Sequence, residues 1–398
     1  MMKKAANKCF RFLLLILLIL LALCLFEIFL RLYSHFNPAL EDRFKIESFF
    51  HPLHPYFGHD DRSPYMPEPI RKDDKRQYTI LVLGGSTALD IPEPLEKYLN
   101  EKNPFPDISR FVVYNGAHHG YHSTQDKNVL VHYLSNGSEI DMVVCIEGFN
   151  NLIRPLENYA YGLPPNYTGW YWIVGNRLEY GSPTRYYLAK YLSELAKKPL
   201  IKRLKTFQML LTGAINASMR SYHLQGMEAV QDNISSIPDK EKIEVLRTGS
   251  SFYEDDIRFM DAVALLQGVR AIFVLHPIMG FERKEMTTYE KEFLKNRPMY
   301  DFQLAPLSVW VEGYRSLQGI GRELKKAGVD YLDYTAIFRD TEGNPYGDLM
   351  HMNELGWNAM AEKLANDIIK TLKKERPAKP DLDRRDTRLE NPHGSPQN

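Results

Sequence analysis

The chain has little with which to cross-link or charge itself. Among 398 residues there are 3 cysteines. Cys9 and Cys24 lie in the apolar N-terminal stretch, which leaves Cys145 alone in the remainder and excludes an intrachain disulfide there. Cys145 itself sits in an apolar strand pattern and reads as a small buried hydrophobe. Without that cross-link a domain must stand on packing, and 44% hydrophobic with 12% aromatic residues is enough to build a core. Net charge is also missing. Fifty basic residues balance 50 acidic ones, so no global field draws the molecule to nucleic acid.

Several motifs are absent too. No G-x-G-x-x-G follows an apolar strand and there is no P-loop, which removes the usual dinucleotide and nucleotide cradles. His51, His54 and His59 fall in a stretch with several prolines, about 35–77, without cysteine or ordered ligand spacing. They read as part of a solvated linker rather than a metal site. No metal or cofactor is expected.

What is present begins at the N-terminus. From Phe12 to Phe26 no polar side chain interrupts the sequence, and with Glu27 and Arg31 allowed the apolar character runs to Leu32. That is long enough to span a bilayer, which needs roughly 20 residues. Lys3, Lys4, Lys8 and Arg11 precede it with no acidic residue, which puts the N-terminus in the cytoplasm. No A-x-A-like site follows, and Leu23 stands before Cys24 where a lipoprotein signal has a small residue, so an uncleaved anchor is expected over residues 1–34. The rest would lie in the periplasm or outside the cell.

Beyond the linker, short apolar runs alternate with helical patterns: "TILVL" (79–83), "FVVY" (111–114), "DMVVCI" (141–146), "VRAIFVL" (269–275) and "VDYLDY" (329–334). Such alternation predicts βαβ units and a mostly parallel sheet in one domain, about 78–375. The third and fourth strands are too far apart for an ordinary connection, which predicts an insertion over about 152–268. Its first half is rich in Tyr and Trp, and about 185–222 reads as amphipathic helix. Residues 376–398 are polar and aperiodic, as in a disordered tail.

Ligands of an open α/β sheet bind outside the carboxyl ends of its strands. The first strand ends in "TILVLGGSTA", where glycines permit a sharp turn that leaves Ser86 exposed. After the second comes "NGAHHGYHS", after the third Gly148-Phe149-Asn150-Asn151, and after the fifth "GDLMHMNELGW". A serine hydroxyl needs a base and an oriented one. Ser86, His351 and Asp348 supply those residue types. The Ser86 and Gly120 N–H groups and the Asn150 amide lie at the right strand ends to hold an oxyanion. Asp348 could instead cap the helix beginning near Asn353. The G-x-S-x-G elbow of α/β-hydrolases does not fit, because position 88 is Ala.

"GGST", Gly120 in "NGAHHGYHS", "GFNN" and "DLMH" resemble, in that order, the four sequence blocks of the SGNH (GDSL-like) hydrolase superfamily. The resemblance spans roughly 78–375 less the insertion. It implies a flavodoxin-like three-layer α/β/α sandwich with Ser86 as nucleophile, Gly120 and Asn150 as oxyanion donors, and Asp348 and His351 as the acid–base pair. Two positions depart from the family pattern. The usual aspartate before the nucleophile is Gly85, and the acidic residue after the oxyanion asparagine is Asn151. Both departures bear on how the site is tuned.

His118, His119 and His122 crowd the rim that carries Gly120, and His276 follows the fourth strand. Imidazoles lining a polar cleft are preferred to a metal site, since this chemistry needs no metal. His119, His276, Trp170 and Trp172 are the candidate substrate contacts. The aromatic cluster at 159–180 reads equally as a sugar-stacking platform or as the insertion's own packing. Family and location together imply an extracytoplasmic serine esterase acting on an O-acyl, most simply O-acetyl, ester of an envelope carbohydrate. Two alternatives stand beside it. One is an O-acyltransferase working with a membrane-bound acyl-transfer partner; the other is a glycan-binding or assembly module on the same fold.

Overall fold

A computed structural model describes residues 68–168, 232–281, 286–296 and 304–373, with parts of 14–33 and 188–215. The linker histidines, Trp170, Trp172 and the C-terminal tail lie outside the described residues, as does part of the helix read at 185–222. The described residues fall into two compact units, one drawn from 67–152, 247–299 and 310–398 and the other from 1–66, 153–246 and 300–309.

The first unit holds the sheet. Its strands are β1 (Gln77–Gly84), β2 (Arg110–Asn115), β3 (Met142–Glu147), β4 (Arg270–Leu275) and β5 (Tyr331–Asp333). They match the five apolar runs of the sequence. All pair in parallel in the order β2-β1-β3-β4-β5, the flavodoxin-like order of doubly wound proteins. Register is set by pairs such as Val82↔Asn115, Leu83↔Cys145 and Cys145↔Phe273.

A parallel sheet must be covered on both faces, so its central strands are apolar throughout rather than alternating. Ile80, Leu81, Val82, Leu83, Val143, Val144 and Ile146 are fully buried, and each such side chain contributes about 1.5–3 kcal/mol relative to exposure.

The helices of the described residues that follow the strands are α1 (Pro92–Glu101), α2 (Ser123–Ser135), α3 (Asn150–Ala160), α4 (Asp239–Leu266), α5 (Thr288–Asn296), α6 (Leu307–Lys326) and α7 (Glu354–Lys373), of which α1 packs on β2 and α2 on β1. Pro92 opens α1, where its missing N–H costs no helical bond. In α4, Tyr253, Ile257, Met260 and Ala264 are buried at helical spacing. Right-handed crossovers that step from β1 out to β2 and then back past β1 to β3 leave on opposite faces. Accordingly α1 packs with α7, where Lys102 meets Glu362 at 2.8 Å. On the other face Asp256 of α4 accepts bonds from Ser123 and Thr124 at the start of α2, at 2.9 and 2.6 Å. The reversal at β1 leaves a crevice at its carboxyl end.

No helix of the described residues is long and apolar enough to cross a membrane. The described residues between Leu14 and Tyr33 are helical, and most of their side chains are exposed.

Candidate active site

The two glycines that end β1 are required for different reasons. Gly84 has φ +142°, and a Cβ there would lie 2.3 Å from the Ile146 carbonyl oxygen of the neighbouring strand. Only glycine suits both the conformation and the space. Gly85 is extended, but its Cβ would sit 2.2 Å from Nδ2 of Asn150 and 3.0 Å from the Tyr121 carbonyl oxygen. A side chain at 85, such as the aspartate of the resembled family, would therefore meet the Asn150 amide, which occupies that space.

Ser86 begins a 3-10 turn, Ser86–Ala88, so its N–H has no acceptor within that turn. Its Oγ lies 2.7 Å from Nε2 of His351. His351 Nδ1 lies 2.6 Å from Oδ2 of Asp348, while Asp348 Oδ1 accepts the backbone N–H groups of His351 at 2.7 Å and Met350 at 2.9 Å. The loop is pinned by its apolar residues. Leu349, Met350 and Met352 are buried, the Met279 N–H reaches Leu349 O at 2.8 Å, and the His351 side chain between them stays 40% exposed.

Burial pushes the Asp348 carboxyl upward. The hydrogen bond and charge of His351, with the two backbone N–H bonds, outweigh it and hold the group below its ordinary value. The helix-capping alternative for Asp348 fails, because Asn353 Oδ1 accepts the Gly356 N–H at the start of α7.

Asn150 opens α3, and its Nδ2 donates to Tyr121 O at 2.7 Å. An amide nitrogen carries two hydrogens, so one remains for an oxyanion. Gly120, at φ +71°, belongs to the same turn, which is tied to β1 by the His118 N–H to Gly84 O at 2.9 Å. The structure therefore brings Ser86, Asp348 and His351 together, and sets the Gly120 turn and Asn150 against the loop that carries Ser86.

His276 corrects an expectation. It is buried, Nε2 accepts the Phe149 N–H at 3.1 Å, and Nδ1 donates to Pro277 O at 2.9 Å. With both nitrogens engaged it cannot touch substrate; it holds the Phe149 peptide just before Asn150. Gly148 has no side chain because a Cβ there would meet His276 Nε2 and Tyr314 Oη at 2.8 Å. Desolvation lowers the His276 pKa to about 4, aided by the nearby His351 and opposed by the bond to Pro277.

The rim histidines diverge. His118 is buried and stacks on Tyr121 at 4.7 Å, and the buried His122 pairs with Gln125 at 2.8 Å. Only His119 of the three is exposed, so it alone keeps its place as a candidate substrate contact. Among the described residues, the group of side chains spaced to hold a metal ion is Asp126, Cys145 and Glu147, which contains no histidine. A cavity of about 560 Å³ lies at the amino ends of the strands, far along the sheet from Ser86; its Lys72 is paired with Asp141 at 2.6 Å.

No family model matches the chain, and neither does any curated protein. Solved structures that resemble it include a GDSL-like lipase from Bacteroides thetaiotaomicron VPI-5482, at 11% identity over 76% of this chain and 93% of that one, with a TM-score of 0.34. Another is a chain provisionally described as an acylhydrolase, from Bacteroides fragilis NCTC 9343, at 12% identity over 77% and 92% with a TM-score of 0.33. At that level of superposition the likeness says nothing of activity.

Proposed function

We propose that the protein is a serine esterase of SGNH type. The observation that carries this reading is the continuous relay from Ser86 Oγ through His351 to Asp348, at 2.7 and 2.6 Å. Ser86 attacks an ester carbonyl as His351 Nε2 takes its proton. Asp348, ionised, holds the ring and stabilises the imidazolium. The tetrahedral oxyanion is received by the Ser86 and Gly120 N–H groups and the second hydrogen of the Asn150 amide, each donor being worth about 2.7–4 kcal/mol. The alkoxide leaves with the proton from His351, and water, activated by the same base, releases the acid.

Ser86 and His351 are part-exposed, which suits an ester borne on a bulky carrier. We read that carrier as an O-acetylated carbohydrate of the cell envelope. The anchor belongs to the same proposal. Support comes from the apolar run to Leu32, its basic flank, and helical leucines such as Leu17 and Leu25, exposed to 62% and 59%, which a bilayer would cover.

The test is a fluorophosphonate probe applied to the full-length protein in detergent, with the adduct located by peptide mass spectrometry. Labelling at Ser86 that disappears in His351→Ala is expected, as is acetate release from acetylated polysaccharide that is lost in Ser86→Ala. An unlabelled Ser86 in folded protein would overturn the esterase; labelling with activity confined to long acyl chains would overturn the substrate.

A further inference from the structure

Two ionisable residues, Glu27 and Arg31, interrupt the apolar run that ends at Leu32, and both find partners in the insertion. Glu27 accepts four hydrogen bonds. Oε1 takes Arg31 Nε at 2.8 Å and the Lys205 N–H at 2.9 Å, while Oε2 takes the Thr206 N–H at 2.7 Å and the Thr206 hydroxyl at 2.8 Å. Arg31 Nη2 donates to Arg203 O at 2.5 Å. Leu30, one turn from Glu27 on the same face, is buried. Residues 1–66 and 153–246 belong to one compact unit.

Lys205 and Thr206 open a helix over 205–215. The first N–H groups of a helix have no acceptor within it, and the Glu27 carboxylate supplies one with the sign of charge that a helix N-terminus favours. From Thr206 to Met219 there is no Asp, Glu, Lys or Arg. The two faces are the reverse of what water selects. Thr206 and Thr212 are buried, and Gln208 Nε2 donates to Ala196 O at 2.9 Å. Phe207 and Leu210 are 41% and 55% exposed, and Ala214 is exposed on the same side. A helix that packs on protein in water turns its polar side chains outward.

We propose that the helix over 205–215 lies in the outer headgroup–acyl boundary of a lipid bilayer, with Phe207, Leu210 and Ala214 in lipid and Glu27 holding its N-terminus at that depth. The proposal rests on the anchor reading and not on the esterase chemistry. The first argument is length. As a helix, Phe12 to Leu32 measures about 31 Å, against a hydrocarbon core of roughly 30 Å. Glu27 then lies about 7–8 Å inside the outer edge, within the zone about 5–10 Å deep where an interfacial helix buries its apolar face. A carboxylate at that depth needs donors from the protein, and Glu27 has them.

The second argument is charge. Residues 197–205 contain Lys197, Lys198, Lys202, Arg203 and Lys205 and no acidic residue. Lys198 and Arg203 are exposed. A basic run leading directly into an apolar helix is the composition that meets anionic phospholipid headgroups.

The test places a nitroxide on the full-length chain in vesicles of phosphatidylcholine and phosphatidylglycerol, with Cys9→Ser and Cys24→Ser removing the other accessible thiols; Cys145 is buried. Phe207→Cys and Leu210→Cys report on the helix, and Leu17→Cys, in a separate protein, reports on the anchor. Collisions with oxygen, which concentrates in lipid, are compared with collisions with a water-soluble nickel chelate. Labels in Phe207→Cys and Leu210→Cys should be open to oxygen and shielded from nickel, at a depth of about 5–10 Å. Adding Glu27→Ala should bring the Phe207→Cys label toward water.

Free collision with nickel in both helix variants, while Leu17→Cys stays in lipid, would overturn the proposal and leave the anchor standing. Leu17→Cys in water would remove the anchor and the proposal with it. Labels shielded from both reagents would show a protein surface covering the helix, a second copy or another partner, and would overturn the lipid contact. An unchanged depth in Glu27→Ala would overturn the role given to Glu27.

Discussion

Gly85→Ala is the sharpest perturbation of the site, because it adds one methyl group next to one amide. The new Cβ would sit 2.2 Å from Asn150 Nδ2, a separation that non-bonded atoms do not tolerate. The Asn150 side chain is the movable partner, so it rotates away, loses its 2.7 Å bond to Tyr121 O and leaves the oxyanion position. The lost hydrogen bond costs only about 0.5–1.5 kcal/mol of stability. Loss of an oxyanion donor raises the barrier by about 2.7–4 kcal/mol, roughly 10²–10³ in rate. The readouts are phosphonylation of Ser86 and hydrolysis of p-nitrophenyl acetate, with thermal unfolding to show that the fold persists. Since both changes remove the same donor, Gly85→Ala and Asn150→Ala should slow the reaction alike, and the double variant should be no slower than either. Wild-type rates in Gly85→Ala, or penalties that add in the double variant, would refute this.

Gly84→Ala should fail differently. Its Cβ would meet a backbone oxygen at 2.3 Å from a φ of +142°, so strain falls on the fold, about 3 kcal/mol, and calorimetry should show a Tm lower by roughly 6–12 °C. His276 should govern the acid limb of stability. Its folded pKa of about 4 lies below the ordinary 6.5, so between those values the unfolded chain binds a proton that the folded chain refuses. The His276 contribution is full above pH 6.5 and falls by about 3 kcal/mol as pH drops to 4. Urea midpoints should show that slope flattened in His276→Gln, and an unchanged slope would count against a neutral buried imidazole. Asp348, held below its ordinary 3.8, keeps its stabilising bonds above that value and loses them only below it, in a separate window.

The sheet was legible in the sequence because a parallel strand buried on both faces is a continuous apolar run, and "TILVL", "DMVVCI" and "VRAIFVL" are such runs. The residues of the relay were legible because Ser86 stands just past the end of β1 and Asp348 and His351 lie in the segment between β5 and α7, where an open sheet exposes its loops. Other features were hidden because they depend on contacts between residues far apart in the chain. Nothing in "GGST" says that one glycine answers to the Ile146 carbonyl and the other to the Asn150 amide. His276 reads as a polar residue at a strand end, and only packing shows both nitrogens satisfied inside. Helix α4 is obscured by its many charges, which mask the stripe from Tyr253 to Ala264. The sequence alone determined which chemical groups stand at the strand ends, since that follows from local pattern. Tertiary structure decided which of them face one another, because a hydrogen bond of 2.7 Å between residues 265 apart in the chain is set by the packing of the whole sheet.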